Sequence, residues 1–346
     1  MTKILSEIVR LEDKLAKTKL PDELLAKAAG MIERLRLSFE LGGAIVEFDR
    51  VSQYIDWIIS IPWFAKVSET GNLEQAAKIL NSNHYGLTEI KERILEYLAV
   101  LILKSEDNQE LRAPILCFVG LVGTGKTTLA ASIAQSLGRT FWRIPFGGMG
   151  GAANLRGQSR VYPDAEPGQT VKALKRVGVA NPVLLLDEID RVAEEQRSDI
   201  MGVLVELLDP EQNAAFLDHY IDFPIDLSQV LFITTANNTT NIATAVLDRL
   251  EVIQMPSYTD SEKIIIGKKY ILPKAISETG LSQTQVNLDE EVWPKIVRPL
   301  GFDPGMRSLE RTLYGICRKI AKLVLTEKVK SVQIEPTNLS RFIPSW

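Results

Sequence analysis

A glycine-rich segment at residues 120–127 constrains the fold of this chain more than any other feature. It reads Gly-Leu-Val-Gly-Thr-Gly-Lys-Thr, follows an apolar run at 115–119 and precedes a helix-forming stretch at 127–137. A strand, such a loop and a helix in that order are typical of a phosphate-binding loop. Its glycines allow several backbone N–H groups to point at one phosphate chain, and the helix N-terminus adds partial positive charge. The segment therefore predicts an α/β fold with a phosphate site at a strand end.

The side chains of this loop define its chemistry. Lys126 is expected to reach the β- and γ-phosphates, and Thr127 to offer its hydroxyl to Mg²⁺. The alternative is a glycine-rich turn that matches the pattern by chance, and the strand before it and the helix after it disfavour that alternative. The residues expected to contact the nucleotide are Gly120, Leu121, Val122, Gly123, Thr124, Gly125, Lys126, Thr127 and Thr128.

Two carboxylates follow a second apolar run, at residues 183–186. Asp187 and Glu188 would lie at the carboxyl end of a parallel strand, where α/β sheets bind their ligands. Asp187 is predicted to bind Mg²⁺ through water, and Glu188 to orient and deprotonate an attacking water. The alternative is a capped strand end with two solvated acids. The phosphate loop earlier in the chain favours the metal site.

Two later strand ends carry a polar residue each. Asn237 follows the apolar run 230–234, where an amide could hold the attacking water or the γ-phosphate. Arg249 precedes the run 252–255 and could reach the nucleotide of a neighbouring subunit. Asn in a turn and Arg at the surface are both common, so the residues alone leave these two roles open.

The pattern of apolar residues divides the chain into three parts, at residues 1–82, 83–256 and 257–346. The first and last parts are helix-periodic, and the last is predicted to hold helices at 261–270, 290–297 and 308–322. In the middle part, short apolar runs alternate with helical stretches, which predicts a parallel sheet with helices on both faces. These runs lie at 115–119, 141–144, 183–186, 230–234 and 252–255.

Composition excludes several classes of protein. The chain has 346 residues, 45% hydrophobic and 24% charged, which fits two or three globular domains. Its net charge of −4 argues against a dedicated nucleic-acid-binding protein. We expect no membrane span, no secretion signal and, with only two histidines, no zinc site. The two distant cysteines fit a reducing compartment, and we expect a cytoplasmic protein.

These elements, in this order and spacing, resemble the AAA+ ATPases, and the resemblance is closest to the ATPase module of Lon protease. It covers nearly the whole chain. The segments that carry it are 54–63, 84–100, 184–190, 206–220, 248–253 and 307–311. The resemblance implies an AAA+ domain with a five-stranded parallel sheet, preceded by a helical segment and followed by a helical lid. It also implies a ring, usually a hexamer, with ATP between subunits.

The resemblance gives several residues a role in ATP hydrolysis. It implies that Asn237 is the first sensor, that Arg249 is an arginine finger acting on a neighbouring subunit, and that Arg307 is the second sensor, in the lid. His84 and Tyr85 lie in the segment that would wrap the adenine. Because a finger from a neighbour is needed, activity is expected to require assembly.

The resemblance also implies a motor that pulls unfolded or damaged proteins through a central pore. Tyr162 lies at the position of the aromatic grip, although it could instead be an ordinary surface tyrosine. Where the family usually has an apolar residue and glycine after this tyrosine, Pro163 and Asp164 follow. Where it has two prolines in the phosphate loop, Leu121 and Val122 stand. The family's tract after residues 147–148 is usually rich in charged residues, whereas residues 149–154 here carry no charged side chain. The alternative function is therefore a nucleotide-switched ring or adaptor that binds ATP without gripping substrate.

The family's β-rich N-terminal domain and its Ser/Lys protease domain have no counterpart in this sequence. We therefore expect an ATPase without a peptidase site, with a separate protease as a candidate partner. The chain would be either an excised part of a larger protease or a stand-alone motor, and the altered segment after Tyr162 favours the second.

Overall fold

Helices form the first part of the chain in the structure, a computed structural model that describes residues 2–40, 45–68, 71–106, 114–298 and 305–343. These helices are α1 (Thr2–Lys17), α2 (Asp22–Glu40), α3 (Ile45–Ser60), α4 (Leu73–Asn83) and α5 (Thr88–Glu106). In α1, Ile8, Leu11 and Leu15 recur at three- and four-residue intervals and are all buried, as on the inner face of an amphipathic helix. The helical segment predicted before the sheet is confirmed.

Five strands form one sheet in the order β2-β3-β6-β1-β7. They are β1 (Ile115–Val119), β2 (Phe141–Pro145), β3 (Val183–Asp187), β6 (Leu231–Ala236) and β7 (Leu250–Gln254), while β4 (Phe216–Leu217) and β5 (Pro224–Ile225) form a separate antiparallel pair. β3 pairs in parallel with both β2 and β6. Every residue of the three central strands is buried, whereas β2 and β7 at the edges are partly exposed. The predicted five-stranded parallel sheet is confirmed, and its continuous apolar runs are those of strands covered on both faces.

Helices connect these strands. They are α6 (Lys126–Leu137), α7 (Ala153–Arg156), α8 (Gln169–Val177), α9 (Glu194–Leu208), α10 (Pro210–Asn213) and α11 (Thr244–Leu247). The register of the sheet places Leu186 beside Thr234, so β3 and β6 end side by side. The residues that follow these two strands therefore lie at the same edge of the sheet.

The last part of the chain is a helical lid with its own core. Its elements are α12 (Asp260–Ile266), a π-helical turn (Gly267–Ile271), α13 (Leu272–Glu278), β8 (Val286–Leu288), α14 (Trp293–Val297), α15 (Arg307–Thr326), β9 (Val332–Ile334) and α16 (Leu339–Phe342). Trp293, Leu309 and Ile316 are among the buried residues of this core. The predicted helix 261–270 is part of a longer helical run that includes the π-helical turn, and the predicted helix 290–297 starts with a 3₁₀ turn.

Backbone contacts divide the chain into two compact units. The first comprises Met1–Asn72, Tyr97–Cys117 and Ala134–Val252, and the second comprises Leu73–Glu96, Phe118–Ile133 and Ile253–Trp346. The second unit therefore contains the glycine-rich loop and the lid, and the first contains the acidic motif. The three-part division at residues 82 and 256 stays a prediction.

Candidate nucleotide site and substrate loop

The backbone of the glycine-rich loop needs glycine at several positions. Gly123 and Gly125 have φ of +83° and +93°, in a region that other residues rarely adopt. A Cβ atom at Gly120 would lie 2.7 Å from the carbonyl oxygen of Met255, which is too close for any side chain. The loop can therefore take this shape, with its backbone exposed to an incoming phosphate, only because these residues are glycines.

Hydrogen bonds within the loop hold its shape. The Leu121 carbonyl accepts from Thr124 Oγ1 at 2.9 Å and from Lys126 Nζ at 3.1 Å, and the Gly120 carbonyl accepts from Lys126 Nζ at 2.6 Å. Lys126 and Thr124 are both buried. These bonds restrain the backbone at Gly120 and Leu121.

The helix after the loop is placed to bind an anion. α6 begins at Lys126, so Thr127 and Thr128 lie in its first turn, where backbone N–H groups and the helix dipole favour negative charge. Thr128 Oγ1 donates to the Gly125 carbonyl at 2.8 Å, while Thr127 is half-buried. The predicted helix start and the loop before it thus form the kind of site that holds phosphates.

The lid meets this loop at the start of α15. Met306 N donates to the Gly123 carbonyl at 3.0 Å, and a Cβ at Gly305 would lie only 2.2 Å from the Val122 carbonyl oxygen. Arg307 is the first residue of α15, and its backbone N would lie 3.3 Å from a Cβ at Gly123. The structure therefore brings the predicted second sensor next to the phosphate loop.

His84 and Tyr85 lie beside the helix that follows the loop. The buried His84 ring places Nε2 3.0 Å from Ser132 Oγ of α6, and the His84 carbonyl accepts from Lys91 Nζ at 2.6 Å. Burial, reinforced by the positive charge of Lys91, lowers the pKa of His84 to about 4. The imidazole is therefore neutral at physiological pH. Tyr85 follows it as a half-buried residue.

In the first unit, the carboxylate of Asp187 is fixed by donors on both oxygens. It is 4% exposed. Arg143 Nε, from β2, donates to Oδ2 at 2.5 Å, and the Thr235 hydroxyl, from β6, donates to Oδ1. Sequence analysis missed both of these partners, because each comes from a neighbouring strand.

Glu188 adopts an uncommon backbone conformation next to this carboxylate. Its φ is +58°, and its amide N donates to Thr235 Oγ1 at 2.8 Å. The Thr235 hydroxyl thus accepts from Glu188 and donates to Asp187. No local pattern near Thr235 indicates these two contacts, because Asp187 and Glu188 lie at the end of a different strand.

The turn after β6 runs beside the turn after β3. Ile189 N donates to the Thr235 carbonyl at 2.9 Å, and Asn238 N lies 3.4 Å from Asp190 Oδ2. Asn237, which lies between Thr235 and Asn238 in the chain, is half-buried. The structure therefore brings the predicted first sensor to the acidic motif, as the adjacency of β3 and β6 requires.

Arg249 is held by its own subunit. Its Nη2 donates to Asp209 Oδ2 at 2.8 Å, and its Nη1 donates to the Ala245 carbonyl at 2.7 Å. The Arg249 hydrogen bond lowers the pKa of Asp209. Asp209 also caps α10, because its Oδ1 accepts from Glu211 N. Sequence analysis did not identify Asp209, which lies 40 residues before Arg249 in the chain.

Tyr162 lies in an exposed loop, residues 157–168, called here the Tyr162 loop. Tyr162 is 65% exposed and Val161 80% exposed. Tyr162 N donates to the Ser159 carbonyl at 3.1 Å, which turns the chain before Pro163. A cavity of about 570 Å³ beside the tyrosine is lined in part by Pro163 and His219. The tip thus presents two apolar side chains to its surroundings.

Other site types have little support in the residues that the structure describes. Within these residues, no cluster of three or more His, Cys, Asp or Glu side chains could hold a metal ion. No described helix is both long enough and apolar enough to cross a membrane. Cys117 and Cys317 are buried and free.

Comparison with known families agrees with this architecture. Residues 116–258 match the model of the ATPase family associated with various cellular activities (AAA). The fold and the phosphate loop thus define the chain as an AAA+ ATPase module. Residues 277–332 match the Lon protease AAA+ ATPase lid domain.

Similarity to individual proteins assigns the chain to a family within the AAA+ ATPases. Lon protease 2 of Herpetosiphon aurantiacus is 42% identical over 97% of this chain and 41% of its own length. Lon protease of Heliobacterium modesticaldum is 41% identical over 96% of the chain and 40% of its length, and Lon protease 1 of Bacillus subtilis is 41% identical over 97% and 43%. The chain belongs to the Lon protease family and contains its AAA+ module with the lid. It spans about two fifths of the length of these relatives.

Proposed function

We propose that this chain hydrolyses ATP with Mg²⁺, and that assembled copies use the energy to unfold and translocate polypeptides. Its membership of the AAA+ ATPases supports the first part. The similarity to proteins named Lon protease supports a role in ATP-dependent proteolysis, with a proteolytic domain or a separate protease as the partner.

The arrangement of the acidic motif carries the proposal. One hydroxyl, from Thr235, binds both the Asp187 carboxylate and the amide of Glu188. It thereby fixes the carboxylate of Asp187 and the backbone of Glu188, two adjacent residues with different predicted roles. Groups fixed before the reaction starts have little orientation left to lose, which favours catalysis.

The phosphate loop would bind the triphosphate. Backbone N–H groups of residues 123–128 and the α6 dipole suit the negative charge. Lys126 would exchange its carbonyl partners, Gly120 and Leu121, for phosphate oxygens. Neutral His84 and Tyr85 would contact the adenine, because an uncharged ring can enter an apolar base pocket at low cost.

We propose that Mg²⁺ binds together with the nucleotide. Thr127 would offer a hydroxyl, and Asp187 would act through water, which are ligands that Mg²⁺ accepts. When bound, the ion would neutralise charge on the phosphates. Asp187 Oδ2 accepts from Arg143, whose side chain is half exposed.

Glu188 and Asn237 would prepare the water for attack. The Glu188 carboxylate would take the proton as the water oxygen forms its bond to the γ-phosphorus and the bond to the β,γ-bridging oxygen breaks. The Asn237 amide would orient that water. General-base catalysis contributes roughly 10²–10⁴ in rate, which sets the scale of its loss.

Charge that develops in the transition state would be met by two arginines. Arg307 would act from the lid of the same subunit and Arg249 from a neighbour. An arginine finger contributes roughly 10³–10⁵ in rate, so a subunit without a neighbour would be nearly inactive. This favours a closed ring, and we propose a hexamer. The two free, buried cysteines are compatible with a cytoplasmic location.

Tyr162 would grip the polypeptide. An exposed aromatic at the tip of a loop can wedge between the side chains of any sequence and has few rotamers to restrict. We propose unfolded or damaged proteins as the substrates. The alternative function, a nucleotide-switched ring or adaptor, is favoured only by Pro163 and Asp164 after the tyrosine.

The Glu188→Gln variant tests the proposed hydrolysis. It should bind ATP normally, and its ATP turnover should be roughly 10²–10⁴-fold slower, since an amide cannot accept the proton. Glu195→Gln, at an exposed position of α9, is the matched control and should keep full turnover. Undiminished hydrolysis by Glu188→Gln would remove Glu188 from this role.

Substrate dependence separates the motor from the adaptor. Turnover should be measured against protein concentration, with and without an unfolded protein. Stimulation by the unfolded protein, lost in Tyr162→Ala, supports the motor. Turnover that ignores the unfolded protein supports the adaptor.

A further inference from the structure

The Tyr162 loop is pinned at its base. A Cβ at Gly168 would lie 1.9 Å from the Leu155 carbonyl oxygen, so the two ends of the loop touch through backbone alone. The fully buried Asp218 carboxylate accepts from Gly168 N at 2.7 Å and, through its other oxygen, from Ile221 N at 3.0 Å. The base is therefore tied to residues 218–221 and cannot shift independently of them.

The Arg160 side chain links the Tyr162 loop to helix α3. The guanidinium carbon of Arg160 lies 3.9 Å from the centre of the Tyr54 ring. Tyr54 is on α3, is fully buried, and donates its hydroxyl to the Ile221 carbonyl at 3.0 Å. Such a cation–π contact attracts the guanidinium to the ring face, and the buried Tyr54 ring is itself held by its hydroxyl.

The same guanidinium reaches a second anchor. Arg160 Nη2 lies 3.7 Å from Asp222 Oδ2, and that oxygen also accepts from Lys27 Nζ of α2 at 2.7 Å. Lys27 Nζ donates to the Asp222 carbonyl as well, at 2.8 Å. The loop, α2 and α3 therefore converge on residues 221 and 222.

A small cavity lies between the loop and these helices. It measures about 190 Å³, with Tyr162 and Pro163 on one side and Met31 and Val51 on the other. Without the Arg160 contacts, the loop tip would have room to move into this space. Arg160, two residues before Tyr162, is therefore placed to limit how closely Tyr162 approaches α2 and α3.

We propose that Arg160 is a positioning residue for Tyr162, and that it makes helices α2 and α3 part of the substrate grip. This inference rests on the proposed function for its role in translocation. Its structural part, the restraint of the loop by Arg160, can be tested separately.

Electron paramagnetic resonance can measure the restraint directly. A Val161→Cys variant carries an exposed thiol, while Cys117 and Cys317 are buried, so a nitroxide label would attach at position 161. Adding Arg160→Gln should narrow the spectrum of the label further, because the backbone that carries the label loses a restraint. Arg10→Gln, an exposed arginine of α1, is the matched control and should leave the spectrum unchanged.

A second variant guards against misfolding. Asp222→Asn removes the carboxylate charge from an exposed side chain, and asparagine tolerates the positive φ of +51° at this position. It should mobilise the same label, less strongly than Arg160→Gln because the Tyr54 contact remains. A spectrum whose line width is the same with and without these two substitutions would overturn the inference, whatever the chain does with substrate.

Translocation is tested in the assembled protein with an unfoldable tagged substrate. Arg160→Gln should raise the number of ATP molecules consumed per substrate unfolded, and Arg160→Lys, which keeps the positive charge, should restore part of the coupling. If Tyr162→Ala abolishes unfolding but Arg160→Gln leaves the ratio unchanged, the inference fails and the proposed function stands. If Tyr162→Ala leaves unfolding intact, the proposed function fails.

Discussion

Asp209 has two partners, and a single substitution can separate them. Its Oδ1 caps α10 and its Oδ2 holds the Arg249 guanidinium. Asp209→Ser keeps a good capping oxygen but is too short to reach the arginine. We expect roughly tenfold slower ATP turnover in the assembled protein. An Arg249 side chain that is not held in place would lose conformational entropy when it engages the neighbouring subunit's nucleotide.

The stability of the variants provides the control for this prediction. Asp209→Ser loses the hydrogen bond to Arg249 but keeps the cap, so it is the reference for the loss of the cap. Asp209→Ala, which loses the cap as well, should be less stable by about 1 kcal/mol. Wild-type turnover in Asp209→Ser would mean that Arg249 needs no support from this carboxylate.

His84 predicts a pH dependence of stability. Its pKa is lowered from 6.5 to about 4 in the folded chain, so the unfolded chain binds the extra proton more readily. The stability that neutral His84 contributes is present above pH 6.5 and is lost as the pH falls from about 6.5 to 4. At 1.36 kcal/mol per pKa unit, the full loss is about 3 kcal/mol.

Denaturant unfolding at a series of pH values measures this effect. In His84→Gln, the dependence between pH 6.5 and 4 should be weaker by that amount. The exposed His219 provides the control, and His219→Gln should keep the wild-type profile. Identical profiles for all three proteins would contradict the assignment to His84.

At the scale of elements, the lid core accepts no extra atom beside its π-helical turn. A Cβ at Gly267 would lie 2.7 Å from Cζ3 of the buried Trp293. Gly267→Ala should therefore lower the free energy of unfolding by about 1–3 kcal/mol. Gly30, within α2, has no atom within 4 Å of the corresponding Cβ position, so Gly30→Ala should raise it by about 0.5–1 kcal/mol. Chemical denaturation compares the two, and equal effects would contradict this packing.

The strands were predictable because each is a short apolar run bounded by helix-forming stretches. β1 matches its predicted run, and β3 and β6 differ from theirs by one or two residues. The π-helical turn was not predictable, because it depends on how Gly267 packs against a tryptophan far along the chain. Local patterns specify an element, whereas a change of helix type within it depends on tertiary contacts.

The residues of the candidate site also divide into those that the sequence predicts and those that it does not. The loop, the acidic pair and the strand-end residues follow from motifs that are continuous in sequence. Thr235, Arg143 and Asp209 act through partners on other elements, and nothing in the sequence near them indicates those partners. Such supporting residues become visible only when the strand order and side-chain geometry are known.

At the scale of the assembled molecule, two inactive variants should restore each other. Arg249→Ala lacks the finger and Glu188→Gln lacks the base, so neither should hydrolyse ATP alone. In a mixed ring, a subunit with intact Glu188 can receive Arg249 from its neighbour. For random mixing at equal amounts, roughly a quarter of the sites should regain activity. Turnover of the mixture, compared with the sum of the separate samples, measures this, and no recovery would place Arg249 in its own subunit's site.

The contacts of Lys126 have a consequence for affinity. Its ammonium group already donates to the Gly120 and Leu121 carbonyl oxygens, so a phosphate would compete with these partners for its hydrogen bonds. Part of what the lysine gains from a phosphate is then offset by the bonds it gives up. We expect discrimination between ATP and ADP to depend less on this lysine than on groups that engage only when the third phosphate is in place.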